Sequence, residues 1–287
     1  MLPAVAVLVA SVAFATQSTA GTSNLEPSWS PDGRWIAFAS DRGGSFDIWK
    51  TDGLRVRRVA RDGEDPAWSP GGDRIAFVAE DARTVPSICT TPASGTDGPR
   101  RRLAYYAFEP SWSPDGRHLA FVAPSDGCPQ GLGIWTMRDD GAFKRQLVES
   151  GDEFTDYATP AWSPDGKQVA YSIPNSDAGE SGIDTIAATA TRGAPRKISP
   201  AGSEPSWSPD GRELVFSKSP HGDRFGPLFV ADVRTRHVRQ LTRMDAAGPA
   251  WSPGGKRIAF SAMARDGSVD LYLINPDGSH LTRLTRT

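Results

Sequence analysis

The sequence predicts an all-β fold, a six-bladed β-propeller with four antiparallel strands per blade. Three observations lead there. The tripeptide Trp-Ser-Pro occurs six times, at Trp29, Trp68, Trp112, Trp162, Trp207 and Trp251, and each copy is preceded two residues earlier by Pro. By subtraction the copies lie 39, 44, 50, 45 and 44 residues apart, a period that belongs to blade-by-blade repeats. No repeat contains a convincing amphipathic helix.

Each element of the first copy follows from its residues. Glu26 to Trp29 is a short extended run, and Ser30-Pro31-Asp32-Gly33 is a turn in which Pro presets φ and Gly accepts a positive one. Trp35 to Ser40 is a second strand, rich in apolar and β-compatible residues. The loop Asp41 to Ser45 leads to a third strand, Phe46 to Trp49; Asp52-Gly53 marks a hairpin, and Val56 to Val59 makes the fourth strand. The later second strands are Arg74–Val78, His118–Val122, Gln168–Ser172, Glu213–Ser217 and Arg257–Ser261. Blades thus begin near residues 26, 65, 109, 159, 204 and 248. Copies two and six carry Gly71-Gly72 and Gly254-Gly255 where the others have Asp-Gly, so this position serves backbone geometry. The ring is expected to close between blades six and one with little or no strand exchange, and Thr22 to Leu25 could add a short pairing segment.

Leu2 to Ala15 is an almost wholly apolar, uncharged run, too short to span a bilayer. It fits the core of a signal peptide, with small-residue cleavage sites after Ala15 or Ala20, although no Lys or Arg precedes it. The expected division is a signal peptide over 1–20 and the propeller over 21–287, in a periplasmic or secreted protein. The net charge of −2 carries no nucleic-acid or membrane signature. Of the two cysteines, Cys89 aligns with the apolar third-strand positions Trp49 and Trp135, and Cys128 lies in a long loop. A bridge between them and two free thiols both remain open.

The charges segregate by repeat position. The residue before each repeated Pro is Glu26, Asp65, Glu109, Thr159, Glu204 and Gly248. Loops between second and third strands add Asp41, Glu80, Asp81, Asp126, Asp177, Glu180, Asp223 and Asp266. In a four-stranded blade these two connections share one face. The opposite face collects Arg34, Arg57, Arg58, Arg74, Arg100 to Arg102, Arg117, Lys167, Arg196, Lys197 and Arg212. The expected object is a disc with an acidic and a basic side, the latter suited to an anionic polymer.

Pro-x-Trp-Ser-Pro-Asp-Gly-Arg/Lys, as in Glu109 to Arg117, followed by Asp-Ile-Trp and a later Leu-Thr such as Leu241-Thr242, resembles the WD40-like repeat (PD40) of the TolB propeller family. The resemblance runs from residue 26 to 285. It implies the propeller fold, and for TolB a periplasmic role in an envelope system in which an α/β domain precedes the propeller. Here fewer than ten residues separate the expected cleavage site from the first repeat, so partner binding through that domain is not implied. Prolyl-oligopeptidase-type peptidases and oligogalacturonate lyases have similar repeats.

The recurring Trp residues read as interblade packing, because repeated apolar positions are core before they are sites. Trp35 replaces polar residues at its repeat position and is expected to be exposed. Asp47, Asp184 and Asp270 recur at third-strand starts, where acceptors hold loop amides. Glu26, Asp65, Glu109 and Glu204 are the candidate binding residues: inner strands converge on the axis, and crowded carboxylates favour a bound cation or basic partner. Oxygen ligands there would suit Ca²⁺. No Gly-x-Ser-x-Gly or His-Glu-x-x-His motif is present, and His118, His221, His237 and His280 are scattered. The expectation is a non-catalytic scaffold engaging a protein or peptide at its acidic mouth. The alternative is a propeller lyase or hydrolase acting on a carbohydrate or peptide. Specificity would reside in the loops Asp41 to Ser45, Pro124 to Gly133, Pro174 to Gly182 and Pro220 to Gly226.

Overall fold

The computed structural model describes residues 21–80, 84–95, 98–126, 128, 130–150, 157–173, 182–190, 194–219 and 225–286. The expected signal peptide over 1–20, His221, and most of the loops at 174–182 and 220–226 lie outside them. The described residues form six four-stranded antiparallel sheets, each built from four strands consecutive in sequence. Blade one comprises Asn24–Trp29, Ile36–Ser40, Asp47–Thr51 and Val56–Ala60. The later blades have inner strands Glu64–Trp68, Phe108–Trp112, Ala158–Trp162, Ser203–Trp207 and Ala246–Trp251. Inner strands touch in ring order, the last against the first.

The core lies between blades. Each second strand buries one ring completely: Phe38, Phe77, Phe121, Tyr171, Phe216 and Phe260. The six repeated Trp residues pack into the interblade clusters at the edge of these cores. In each turn the Ser hydroxyl accepts an amide five residues on, as for Trp35 on Ser30 at 2.9 Å. The turn aspartates Asp32, Asp115, Asp165 and Asp210 accept the Ser hydroxyl and a backbone amide. In copy two Asp73 takes over the Ser69 hydroxyl at 2.9 Å. The aspartate is therefore a turn brace.

Successive joints alternate in chemistry. The residue before each Trp is Ser28, Ala67, Ser111, Ala161, Ser206 and Ala250 in turn. After a Ser blade, the Ser hydroxyl accepts the backbone amide of the next Trp, at 3.0 Å for Trp68, 3.4 Å for Trp162 and 3.2 Å for Trp251. After an Ala blade, the next Trp indole donates to the Ala carbonyl: Trp112 to Ala67 at 3.1 Å, Trp207 to Ala161 at 3.0 Å, Trp29 to Ala250 at 3.2 Å. The ring is a threefold arrangement of blade pairs laid over six similar repeats.

Blade six meets blade one without sharing a sheet strand, within the expected little or no strand exchange. Ser23 forms a parallel bridge to Val269, and the fully buried Asn24 amide donates to the Val269 carbonyl at 3.0 Å and to Asp270 Oδ1 at 3.2 Å. Asp270 also receives Arg283 Nε at 2.8 Å and the Thr285 hydroxyl at 2.7 Å.

Two expectations need correction. Asp184 is not the counterpart of Asp47 and Asp270. It pairs across from Tyr171, as Trp49 pairs with Phe38, so it occupies the aromatic slot two residues further along its strand. Trp35 is half-buried, since the Lys50 ammonium lies 5.1 Å from its ring centre. Cys89, buried, and Cys128, half-buried, are free thiols, and burial pushes the Cys89 thiol up.

Candidate functional site at the axial mouth

The residue before the repeated Pro takes a left-handed backbone in all six blades: φ is 57° at Glu26, 50° at Asp65, 51° at Glu109, 48° at Thr159, 57° at Glu204 and 57° at Gly248. A residue before proline is ordinarily extended. Here every inner strand slips register against its neighbour around this residue, as between Leu25 and Ser28. A bulge of this kind re-aims a side chain.

Those side chains reach round the ring. The Asp65 amide donates to Glu26 Oε2 at 2.7 Å, the Thr159 amide to Glu109 Oε2 at 2.5 Å, the Glu204 amide to Thr159 Oγ1 at 3.2 Å, and the Gly248 amide to Glu204 Oε2 at 2.7 Å. Gly248 offers no side chain, and a Cβ there would sit 3.3 Å from Glu26 Cα. Thr159 was not singled out by charge, yet it does the work of its neighbours. The shared property is an acceptor of suitable reach, and the sequence signal for it is the position before Pro.

Glu26, Asp65 and Glu109 belong to three successive blades, whereas Glu204 stands across the ring from Asp65, flanked by Thr159 and Gly248. Desolvation, then the charges of Glu26 and Glu109, raise the Asp65 carboxyl well above the usual carboxylate range. A Glu26 hydrogen bond and the Glu64 charge act in the same direction. Three carboxylates crowded at one side of the axis hold on to a proton.

Among the described residues no group of three or more His, Cys, Asp or Glu side chains is placed to hold a metal ion. Glu26, Glu109 and Glu204 each spend an oxygen on a backbone amide of the next blade.

The acidic loop residues Asp41, Glu80, Asp126 and Asp266 sit at the same end of the blades as this mouth, while Asp81, Asp177, Glu180 and Asp223 lie outside the described residues. At the opposite end several cations join blades. Each donates to a backbone carbonyl: Lys50 Nζ to that of Ala93 at 2.5 Å, Arg101 to that of Asp140 at 3.2 Å, Arg145 to those of Ala188 and Ala190 at 2.6 and 2.7 Å, and Arg196 to that of Arg234 at 3.2 Å. Asp47 and Asp270, at the mouth ends of their third strands, instead pair within their own blades with the fourth-strand arginines Arg58 and Arg283. Asp47 also accepts the loop amide of Asp62 at 2.9 Å, as expected of it.

A closed ring of six WD40-like blades with an ionisable collar at one end of its axis defines a six-bladed propeller of the repeat type. The chain belongs to the TolB beta propeller domain family (PD40), whose match covers residues 133–287. Its fold is similar to that of TolB from Acinetobacter baumannii, with a TM-score of 0.68 at 22% identity over 92% of this chain. The chain spans 63% of that protein's length. An oligogalacturonate lyase from Vibrio parahaemolyticus shares the fold with a TM-score of 0.56 at 13% identity, over 90% of this chain and 91% of the lyase. So does a puromycin-hydrolyzing peptidase from Mycobacterium tuberculosis, at 0.62 and 14%, over 92% of this chain and 53% of the peptidase. None of the curated proteins matches the chain. Among the described residues no helix is long and apolar enough to cross a membrane.

Proposed function

We propose that this propeller is a non-catalytic binding scaffold, periplasmic or secreted, whose axial mouth takes a cationic segment of a protein partner. The observation that carries the reading is the placing of Glu26, Asp65 and Glu109 on three successive blades at the mouth, where burial first and the neighbouring carboxylates second raise the proton affinity of Asp65. A guanidinium or ammonium seated there relieves that repulsion and binds in competition with the proton. The likeness to TolB favours a protein partner; the likeness to the lyase and the peptidase rests on fold alone.

The test is capture of partners from native envelope and secreted fractions, comparing the wild-type chain with Glu26→Gln/Glu109→Gln/Glu204→Gln. Gln keeps an oxygen to accept the next blade's amide, so the collar is retained while its charge is removed. A stoichiometric partner lost in the triple variant at unchanged unfolding temperature is the expected result. Retention of that partner by the variant removes the mouth from the binding reaction. Binding should also strengthen as pH rises through the raised Asp65 pKa.

A further inference from the structure

We propose that the end of the propeller opposite the acidic mouth docks on an anionic lipid surface, through the rim formed by blades six, one, two and three. This site is distinct from the mouth. The connections from third to fourth strands all emerge at this end, because each blade's strands alternate in direction and all six blades run the same way. Equivalent residues of neighbouring blades meet at two heights, Glu26 with Asp65 at the mouth and Pro31 with Gly72 at the turns.

Four of the seven large apolar side chains exposed among the described residues lie on this rim: Leu54 at 93%, Phe143 at 71%, Leu281 at 51% and Val56 at 41%. They are interleaved with exposed cations. The order is Leu54-Arg55-Val56-Arg57 in blade one and Phe143-Lys144 in blade three. Between them Arg100, Arg101 and Arg102 of blade two are exposed but engage the Arg61 carbonyl, the Asp140 carbonyl and the Tyr105 hydroxyl, and the exposed carboxylates Asp52, Asp140 and Asp277 share the rim. In blade three the Phe143 backbone is left-handed at φ 53°, an unusual state for a bulky residue, and the Arg138 guanidinium sits 3.8 Å from its ring centre. Beside it a cleft of about 470 Å³ is lined by His118, Thr136, Arg138, Phe143, Lys144 and Arg145. No carboxylate lines it, and a phosphate headgroup matches that chemistry.

Part of this positive charge has a plainer role. Fourth strands are sheet edges, where charged side chains suppress edge-to-edge pairing, and Arg101 and Arg145 clamp neighbouring blades. Edge protection does not account for apolar side chains at hairpin tips. Singly exposed apolar residues are ordinary; here they share one rim with the cations, the combination that a bilayer interface rewards. A soluble polyanion would use the cations and leave the exposed apolar surface of Leu54, Phe143 and Leu281 in water, so the lipid surface is the better match.

The experiment is co-sedimentation of the chain with phosphatidylcholine vesicles, with and without phosphatidylglycerol, across a salt series. Binding only to phosphatidylglycerol vesicles, falling with salt, is expected. Leu54→Ser/Phe143→Ser should weaken it about tenfold or more, with far-UV circular dichroism and unfolding temperature unchanged. Arg55→Gln/Arg57→Gln/Lys144→Gln should flatten the salt dependence. Absence of binding to anionic vesicles overturns the proposal. Binding that survives the apolar substitutions and is matched by dextran sulfate also overturns it, in favour of an anionic polymer.

Discussion

Asp65 is the carboxyl group whose proton couples the mouth to stability. The fold raises its pKa, so the native chain holds a proton at pH values where the unfolded chain has lost it. Asp65 therefore contributes stability that is fully present below about pH 4 and is lost as pH rises through its folded pKa. Asp65→Asn keeps a neutral side chain at the mouth and should remove this limb. Urea unfolding across pH should show the variant gaining stability relative to wild type towards neutral pH, and parallel curves would refute the assignment. The turn aspartates Asp115, Asp165 and Asp210 act in the opposite sense. Their Ser and backbone hydrogen bonds lower the carboxyl, so their contribution is lost as pH falls.

At the scale of the element, the turn between first and second strands depends on a left-handed glycine packed under the preceding blade's proline. Gly33 has φ +68°, and a Cβ there would be 4.0 Å from Pro253; Gly116 has the same φ, but its Cβ would be 3.3 Å from Pro70. Gly33→Ala therefore isolates backbone strain, for which about 1–2 kcal/mol is expected. Gly116→Ala adds a tight interblade contact and should cost more. Chemical denaturation of the two variants checks the order, and equal losses would mean that Pro70 yields freely. The inner-strand bulge is a subtler element. Nothing in Glu26-Pro27 announces a positive φ, since the local preference before Pro is extended; six bulges in register round an axis impose it.

For the whole molecule, the joint between blades six and one has no covalent continuity of strands and depends on Asn24. Asn24→Ala leaves the Val269 carbonyl and the Asp270–Thr285 pair short of a donor in a fully buried site. A loss of about 1–3 kcal/mol is expected. Hydrogen exchange should be faster in blades one and six than in blades three and four. Uniform protection round the ring would show that closure is not the weak joint. The disc also carries its collar carboxylates at the mouth and its blade-clamping cations at the turn end, beside the turn aspartates. The net charge of −2 conceals that division.

The repeated Pro-x-Trp-Ser-Pro, its spacing and its turn residues were by themselves sufficient for six blades and four strands per blade. Such features are local or periodic, and a linear pattern carries them. Tertiary structure alone decided which side chains meet. It placed Asp184 in an aromatic slot, because its strand starts at Gly182, two residues earlier, and the motif does not mark where a third strand begins. It made Thr159 a member of the collar and put Glu204 across the ring from the other three carboxylates. It divided the cations between blade clamps and open rim. Each of these depends on distances between residues some forty positions apart, set by the bulges and by how one blade packs on the next.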